Sequence, residues 1–345
     1  MSHRPHPGAP GTEPSFALDL SYDRFDELNR RPGPQVAYRD LFVPHEDLPK
    51  SLRRWAEARG VALRALTRRD RQFGGTSEKH LFGLRDGYAI ESVLIRRQDG
   101  YTACISSQVG CAFACRFCAS GQAGLMRNLT PGEIVEQVVR LGPKVNRIVF
   151  MGIGEPLNNY DNVLGAIRIL RDRRGLDFPT TGITVSTIGI PKGMKALREE
   201  HLGLNLTISL HATTDEVRSR LIPGTRKHAI ADVVAGALSW AHRHSRIVTF
   251  VYLLLPGIND TDADLARLVA MFRGTPARLN LMRWNEVDGL GFSRVSDHRL
   301  TQFRRGLKRA GIPVVVRDTQ GNRIDAACGQ LWLRDLKGVP VARAA

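Results

Sequence analysis

A chain of 345 residues with 42% apolar side chains can bury a sizeable core, which excludes global disorder. No run of about 18 uncharged apolar residues occurs, which excludes an ordinary membrane-spanning helix. The opening MSHRPHPGAPGTEP has no apolar stretch of the secretory kind, so a cytosolic location is expected. Fifty Lys and Arg against 34 Asp and Glu leave a formal charge of +16; that excess favours a polyanionic partner, although an Arg-rich solvated surface would produce it too.

In chain order, residues 1–35 read as a disordered arm, with Pro32 and Pro34 marking its edge. The segment 47–60 carries Leu52, Trp55 and Ala56 on one side of a helix closed by Gly60. HLFGL and YAIESVLI flank Arg85-Asp86-Gly87, a turn between apolar runs, and predict a β-hairpin with Glu91 in its second strand. These features define a small N-terminal accessory domain over 36–97. From 98 to 333 a strand–helix rhythm takes over, and 334–345 is a tail.

The predicted strands of this core are 102–106, 147–153, 182–188, 204–210, 247–254 and 278–284, with a shorter one at 313–317. Helical patterns separate them. Thr130-Pro131-Gly132-Glu133 is a capping box with Pro at the first helical position, and Thr261 with Asp264 repeats the device. Nearly all-apolar strands alternating with helices indicate a parallel sheet covered by helices, here an α/β fold of six units forming a partial (β/α)6 barrel. The polar residues that interrupt the pattern fall at or just past strand C-termini: the cysteine loop, Gly154-Glu155, Ser186-Thr187, Ser209, His211 and Asn285. In parallel α/β folds that rim collects ligands and catalytic groups.

Five cysteines, four of them within fifteen residues, do not form a disulfide framework. Cys111-x3-Cys115-x2-Cys118 puts three thiolates on one short loop. All-cysteine iron–sulfur clusters use four, so three would leave one iron open to another ligand. The competing reading is zinc, but a structural zinc site needs four close ligands, and Cys104 or the distant His80 would have to complete it.

The C-x3-C-x2-C loop after a first strand resembles the radical S-adenosylmethionine superfamily. With CISSQVGCAFACRFCASG, MGIGEPLNN, STIGIP, SLHA and IDAACGQL, the chain resembles its RlmN/Cfr family of RNA adenine methyltransferases over residues 75–333. The resemblance implies a 4Fe–4S cluster on Cys111, Cys115 and Cys118, and S-adenosylmethionine consumed twice per turnover, as methyl donor and as radical source. Gly154, Glu155, Ser186, Ser209, Leu210, His211 and Asn285 match its cofactor contacts. It further implies that Cys328 carries the methyl group, that Glu91 accepts the proton released at the attacked carbon, and that Cys104 resolves the adduct in a transient disulfide with Cys328.

The implied substrate is an adenosine of 23S rRNA, with tRNA an open second target, and carbon 2 or carbon 8 as the acceptor. An electron donor of the flavodoxin or ferredoxin kind is implied, and a monomer is expected. The chain departs from the family at Ile222-Pro223-Gly224-Thr225, at Asn285-Glu286 and at Ala119-Ser120-Gly121. These leave two rivals: a radical methylase of a small molecule or nucleotide, and a non-catalytic RNA-binding protein with a structural metal.

Overall fold

The computed structural model describes residues 16–44, 47–287, 289–316 and 329–331. The N-terminal part contains helices α1 (Tyr22–Asn29) and α2 (Lys50–Arg59), then the antiparallel strands β1 (Thr67–Gly74), β2 (Ser77–Gly83) and β3 (Ala89–Arg97). Strand β4 (Gly100–Cys104) pairs antiparallel with β3 and opens the parallel part of the sheet. A small hairpin, β5 (Gln108–Gly110) with β6 (Leu125–Asn128), brackets the cysteine loop and the short helix α3 (Ala119–Gln122).

Helices and strands then alternate as α4 (Pro131–Leu141), β7 (Val145–Phe150), α5 (Tyr160–Arg171), β8 (Ile183–Thr187), α6 (Pro191–Glu199) and β9 (Asn205–Ser209). Two helices, α7 (Asp215–Leu221) and α8 (Ile230–Arg243), precede β10 (Val248–Leu254). The series ends with α9 (Asp262–Phe272), β11 (Ala277–Arg283), α10 (Asp297–Arg309) and β12 (Val314–Val316). The sheet order is β1-β2-β3-β4-β7-β8-β9-β10-β11-β12, parallel from β4 onward. This is the expected partial barrel, six β/α units with a short extra strand. Among the described residues no helix is long and apolar enough to cross a membrane.

Both capping boxes form. Thr130 Oγ1 accepts the Glu133 N–H at 3.2 Å while Glu133 accepts the Thr130 N–H at 3.0 Å, and Thr261 and Asp264 reciprocate in the same way. Each satisfies backbone donors that a helix start leaves open.

The expected disordered arm needs correction for residues 16–35. Phe25 and Leu28 of α1 are buried with Trp55 and Leu52 of α2, and Arg59 donates to the carbonyls of Leu28, Asn29 and Arg31. Asp19 accepts the Gly132 N–H at 2.6 Å, at the positive end of α4. Buried Glu136 accepts the Ala65 and Leu66 N–H groups at 2.5 and 3.2 Å. The segment is therefore ordered, α1 packing on α2 and the turn at Ala17–Asp19 on α4, through contacts distant in sequence that its Pro-flanked, weakly apolar character does not reveal. Strand β1 has no apolar alternation either; its side chains are almost all exposed and half of them charged, as suits an edge strand that must not recruit another.

Candidate active site

One cavity of about 180 Å³ opens at the C-terminal ends of the parallel strands. Cys111, Cys115 and Cys118 line it from the loop after β5. Gly152, Gly154 and Glu155 line it after β7, Ser186 to Ile188 at the end of β8, Ser209 and His211 after β9, and Met282 to Asn285 at the end of β11. The rim read from the strand pattern is therefore one wall.

The cysteine loop is held by its main chain. Cys111 N–H donates to Gly124 O at 2.8 Å and Cys118 N–H to Cys115 O at 3.1 Å. Ala114 sits in the left-handed region at φ 50°, a conformation that costs a non-glycine residue roughly 1–2 kcal/mol. A Cβ on Gly121 would stand 2.8 Å from Cys115 N, so that approach requires glycine. The indole N–H of Trp284 donates to Phe117 O at 3.1 Å, and Gly224 N–H donates to Phe113 O at 3.1 Å. A side chain at 224 would meet the Phe113 ring at 2.6 Å, which accounts physically for Gly224, one of the departures from the family pattern.

Burial pushes the Cys111 thiol up to about 12 and the Cys115 thiol well above its ordinary value; around Cys115 the neighbouring thiols and Glu155 add to this, and Arg218 opposes it. Such thiols ionise when they meet a cationic centre, not water. Among the described residues no three His, Cys, Asp or Glu groups converge as single-ion ligands. Three thiols on one short loop, all lining the cavity, suit an iron–sulfur centre that takes one sulfur per iron.

Glu155 is 3% exposed. Its carboxylate accepts N–H groups from Leu157 and Ile188, each at 2.9 Å, while its own N–H donates to Gln108 Oε1 at 2.8 Å. Gly154 is at φ 106°, and a Cβ there would lie 2.7 Å from Gln108 Cβ. Burial raises Glu155 to about 7 despite hydrogen bonds from Thr187, Ile188 and Leu157 that lower it. Between the ordinary carboxylate value of 4.5 and about 7 the folded chain thus holds a proton that the unfolded chain has lost, so this group makes stability fall as pH rises. We expect Glu155→Gln to gain about 3 kcal/mol on the ligand-free wild type across that window. Urea unfolding at several pH values checks it, and a pH-independent difference would refute the assignment.

His211 takes the left-handed conformation at φ 58°. Its Nδ1 accepts the Leu253 N–H at 3.1 Å, which places the imidazole proton on Nε2, and burial, reinforced by Arg218, lowers it to about 3 and keeps it neutral. Buried Asn259 holds the turn by donating to His211 O and Leu253 O, both at 2.7 Å. Ser186, Ser209 and Asn285 reach the wall as expected; Leu210 does not, its side chain lying in the hydrophobic core while its main chain bonds Val251 and Arg218.

Glu91 and Cys104 stand outside the lining but on the cavity side of the sheet. Cys104 pairs in register with Val93 and Val149; Glu91 lies two residues from Val93, and the cavity-lining Met151 two residues past Val149. Alternation puts all of these on one face. Glu91 is buried, and Lys79 Nζ lies 3.2 Å from its carboxylate. Cys328, and with it the expected pair to Cys104, lies outside the described residues. Its successors are placed: Ala119 N–H donates to Gly329 O at 2.8 Å, Ser120 Oγ to Leu331 O at 2.7 Å, and Gln330 to Glu286 O at 2.8 Å. Sequence reasoning missed Gln108, Lys79, Arg218 and Asn259, of which only Lys79, in a strand opposite Glu91, carries a legible signal.

A partial parallel barrel with three loop thiols on its rim defines a radical S-adenosylmethionine enzyme, and the Radical SAM superfamily model matches residues 105–269. A probable RNA methyltransferase of Rhodopseudomonas palustris is 70% identical over 94% of this chain and 91% of that protein. A probable dual-specificity RNA methyltransferase RlmN of Symbiobacterium thermophilum is 38% identical over 89% and 92%. The crystal structure of a radical SAM methyltransferase from Sphaerobacter thermophilus superposes with a TM-score of 0.87 at 36% identity, covering 92% of this chain and 99% of that one. The chain belongs to the RlmN/Cfr family.

Proposed function

We propose that this chain is an S-adenosylmethionine-dependent RNA methyltransferase that places a methyl group on carbon 2 or carbon 8 of an adenosine in 23S rRNA, with tRNA an open second target. It works in the cytoplasm as a monomer, with a flavodoxin- or ferredoxin-type donor. The observation that carries the reading is the clamp of Gly329 and Leu331 onto Ala119 and Ser120, which delivers the segment following Cys328 to the edge of the thiol-lined cavity. The net charge of +16 suits a polyphosphate substrate.

Carbons 2 and 8 of adenine are electron-poor and are not nucleophiles, so ordinary transfer of a sulfonium methyl fails there. Cys111, Cys115 and Cys118 would hold a 4Fe–4S cluster, which would supply the one-electron chemistry that opens the sulfonium of S-adenosylmethionine, two molecules of which would serve each turnover. The chain's own residues do the rest. Glu155 and Gly154 receive the amino end of the cofactor, His211 offers its Nε2–H, and Ser186, Ser209 and Asn285 provide polar contacts. Cys328 carries the methyl group as S-methylcysteine; one hydrogen atom of that methyl would pass to the fragment of the second S-adenosylmethionine, the carbon would bond to the ring, and the ring would return one electron to the centre. Glu91, with Lys79 as its counter-ion, takes the proton from the attacked carbon. Cys104 then attacks the Cys328 sulfur and breaks its bond to the linking carbon, which takes up a proton to complete the methyl group and leaves with the base; the disulfide that remains is reduced by an external thiol.

Mass spectrometry of ribosomal and transfer RNA nucleosides, from cells with and without the gene, tests this. Gene-dependent 2-methyladenosine or 8-methyladenosine is expected. The absence of both would defeat the RNA reading in favour of a smaller substrate.

A further inference from the structure

Helix α7 carries a cation that the proposed chemistry leaves unused. Arg218 is 1% exposed, and among the described residues the carboxylates that act on it, Asp215 and Glu155, do so from beyond ion-pair distance. Its guanidinium donates instead to four main-chain carbonyls: Ile188 at 2.5 Å, Leu210 at 3.2 Å, and Ser209 and His228 at 3.4 Å. Burying a charge without a counter-ion costs several kcal/mol. If these carbonyls needed only a hydrogen-bond donor, a neutral side chain would provide one without that cost.

Two connections show where the charge acts. The Ile188 peptide whose carbonyl binds Arg218 also donates its N–H to Glu155, so carboxylate and guanidinium grip opposite sides of one residue's main chain. The end of α7 is bonded to the cysteine loop, Arg116 N–H to Leu221 O at 2.9 Å. The guanidinium field reaches both Cys115 and Glu155.

We propose that Arg218 is a positioning residue with an electrostatic role. It fixes the Ile188 main chain against Glu155, and it keeps a permanent positive charge beside the cysteine loop that makes the cluster there easier to reduce. The inference rests on the cluster reading above. A cluster with three thiolates is anionic and becomes more so on gaining one electron, and a fixed cation in a low-dielectric surrounding stabilises the reduced state more than the oxidised one. One electron passes from the low-potential donor to the centre; no bond or proton changes at Arg218.

The test compares anaerobically reconstituted wild type, Arg218→Gln and Arg218→Lys by redox titration with dithionite, followed by electron paramagnetic resonance. At a fixed potential R218Q should show a reduced-to-oxidised ratio about tenfold below wild type, equivalent to a midpoint about 59 mV more negative. R218K keeps the charge and should stay within about twofold of wild type. Both should bind S-adenosylmethionine about tenfold more weakly by spectral titration, since neither side chain spans the carbonyls of Ile188, Ser209 and Leu210. Wild-type potentials in both variants, or equal shifts in both, overturn the proposal. Should R218Q fail to assemble, R218K decides alone, a tenfold or larger change in its ratio being the overturning result. A wild type that takes up no iron defeats the cluster reading instead.

Discussion

Cys115→Ala is expected to yield a folded but colourless protein with S-adenosylmethionine cleavage at background. The loop does not depend on that sulfur for its shape. Cys115 keeps its place through its carbonyl, which accepts from Cys118 N–H, and through the close approach of Gly121. Removing one sulfur that lines a cavity should therefore cost only about 1 kcal/mol of stability. Ligation fares differently, because three thiolates are already one short of a full set and the two that remain cannot retain the cluster. Iron content and visible absorbance after anaerobic reconstitution read this directly. A C115A protein with wild-type iron and donor cleavage would remove the basis of the proposed function.

Cys328→Ala should separate two losses that Cys115→Ala merges. We expect full iron content and continued donor cleavage but no methyl in RNA. The clamp explains the separation: Gly329 and Leu331 are tied to Ala119 and Ser120 through their carbonyls, so deleting the neighbouring sulfur leaves the segment seated and the cysteine loop supported. Iron analysis, 5′-deoxyadenosine release and methylated-nucleoside yield are measured on one preparation. Loss of the cluster would mean that Cys328 is a ligand, and undiminished methylation would mean that it carries nothing.

The two assignments were unequally legible. Cys111, Cys115 and Cys118 lie within eight residues, so their spacing alone announces a shared ligand. Cys328 has no neighbour in sequence to pair with, and only the resemblance IDAACGQL gave it a role; the structure adds the position of the residues just after it. The place of Glu91 in the second strand of the hairpin does not say which face it takes. The register of β3 on β4 turns it to the cavity side, and Lys79 supplies the countercharge. Leu210 went the other way, because motif adjacency to Ser209 and His211 does not say that its side chain points into the core.

What the chain encodes by itself is what depends on contiguous residues. Apolar runs separated by helical periodicity specify the partial parallel barrel, Thr-x-x-Glu and Thr-x-x-Asp mark helix starts, and polar residues at strand ends announce the rim, because propensity and capping act over a few positions. Only the tertiary structure decided that residues 16–35 pack on α2 and the start of α4, that an exposed polar segment forms the edge strand β1, that β5 and β6 bracket the thiols, and that Arg218 and Glu155 meet at the main chain of Ile188. Each of these rests on partners brought together by the fold, many of them tens of residues apart, and such a partner leaves no mark in the local pattern.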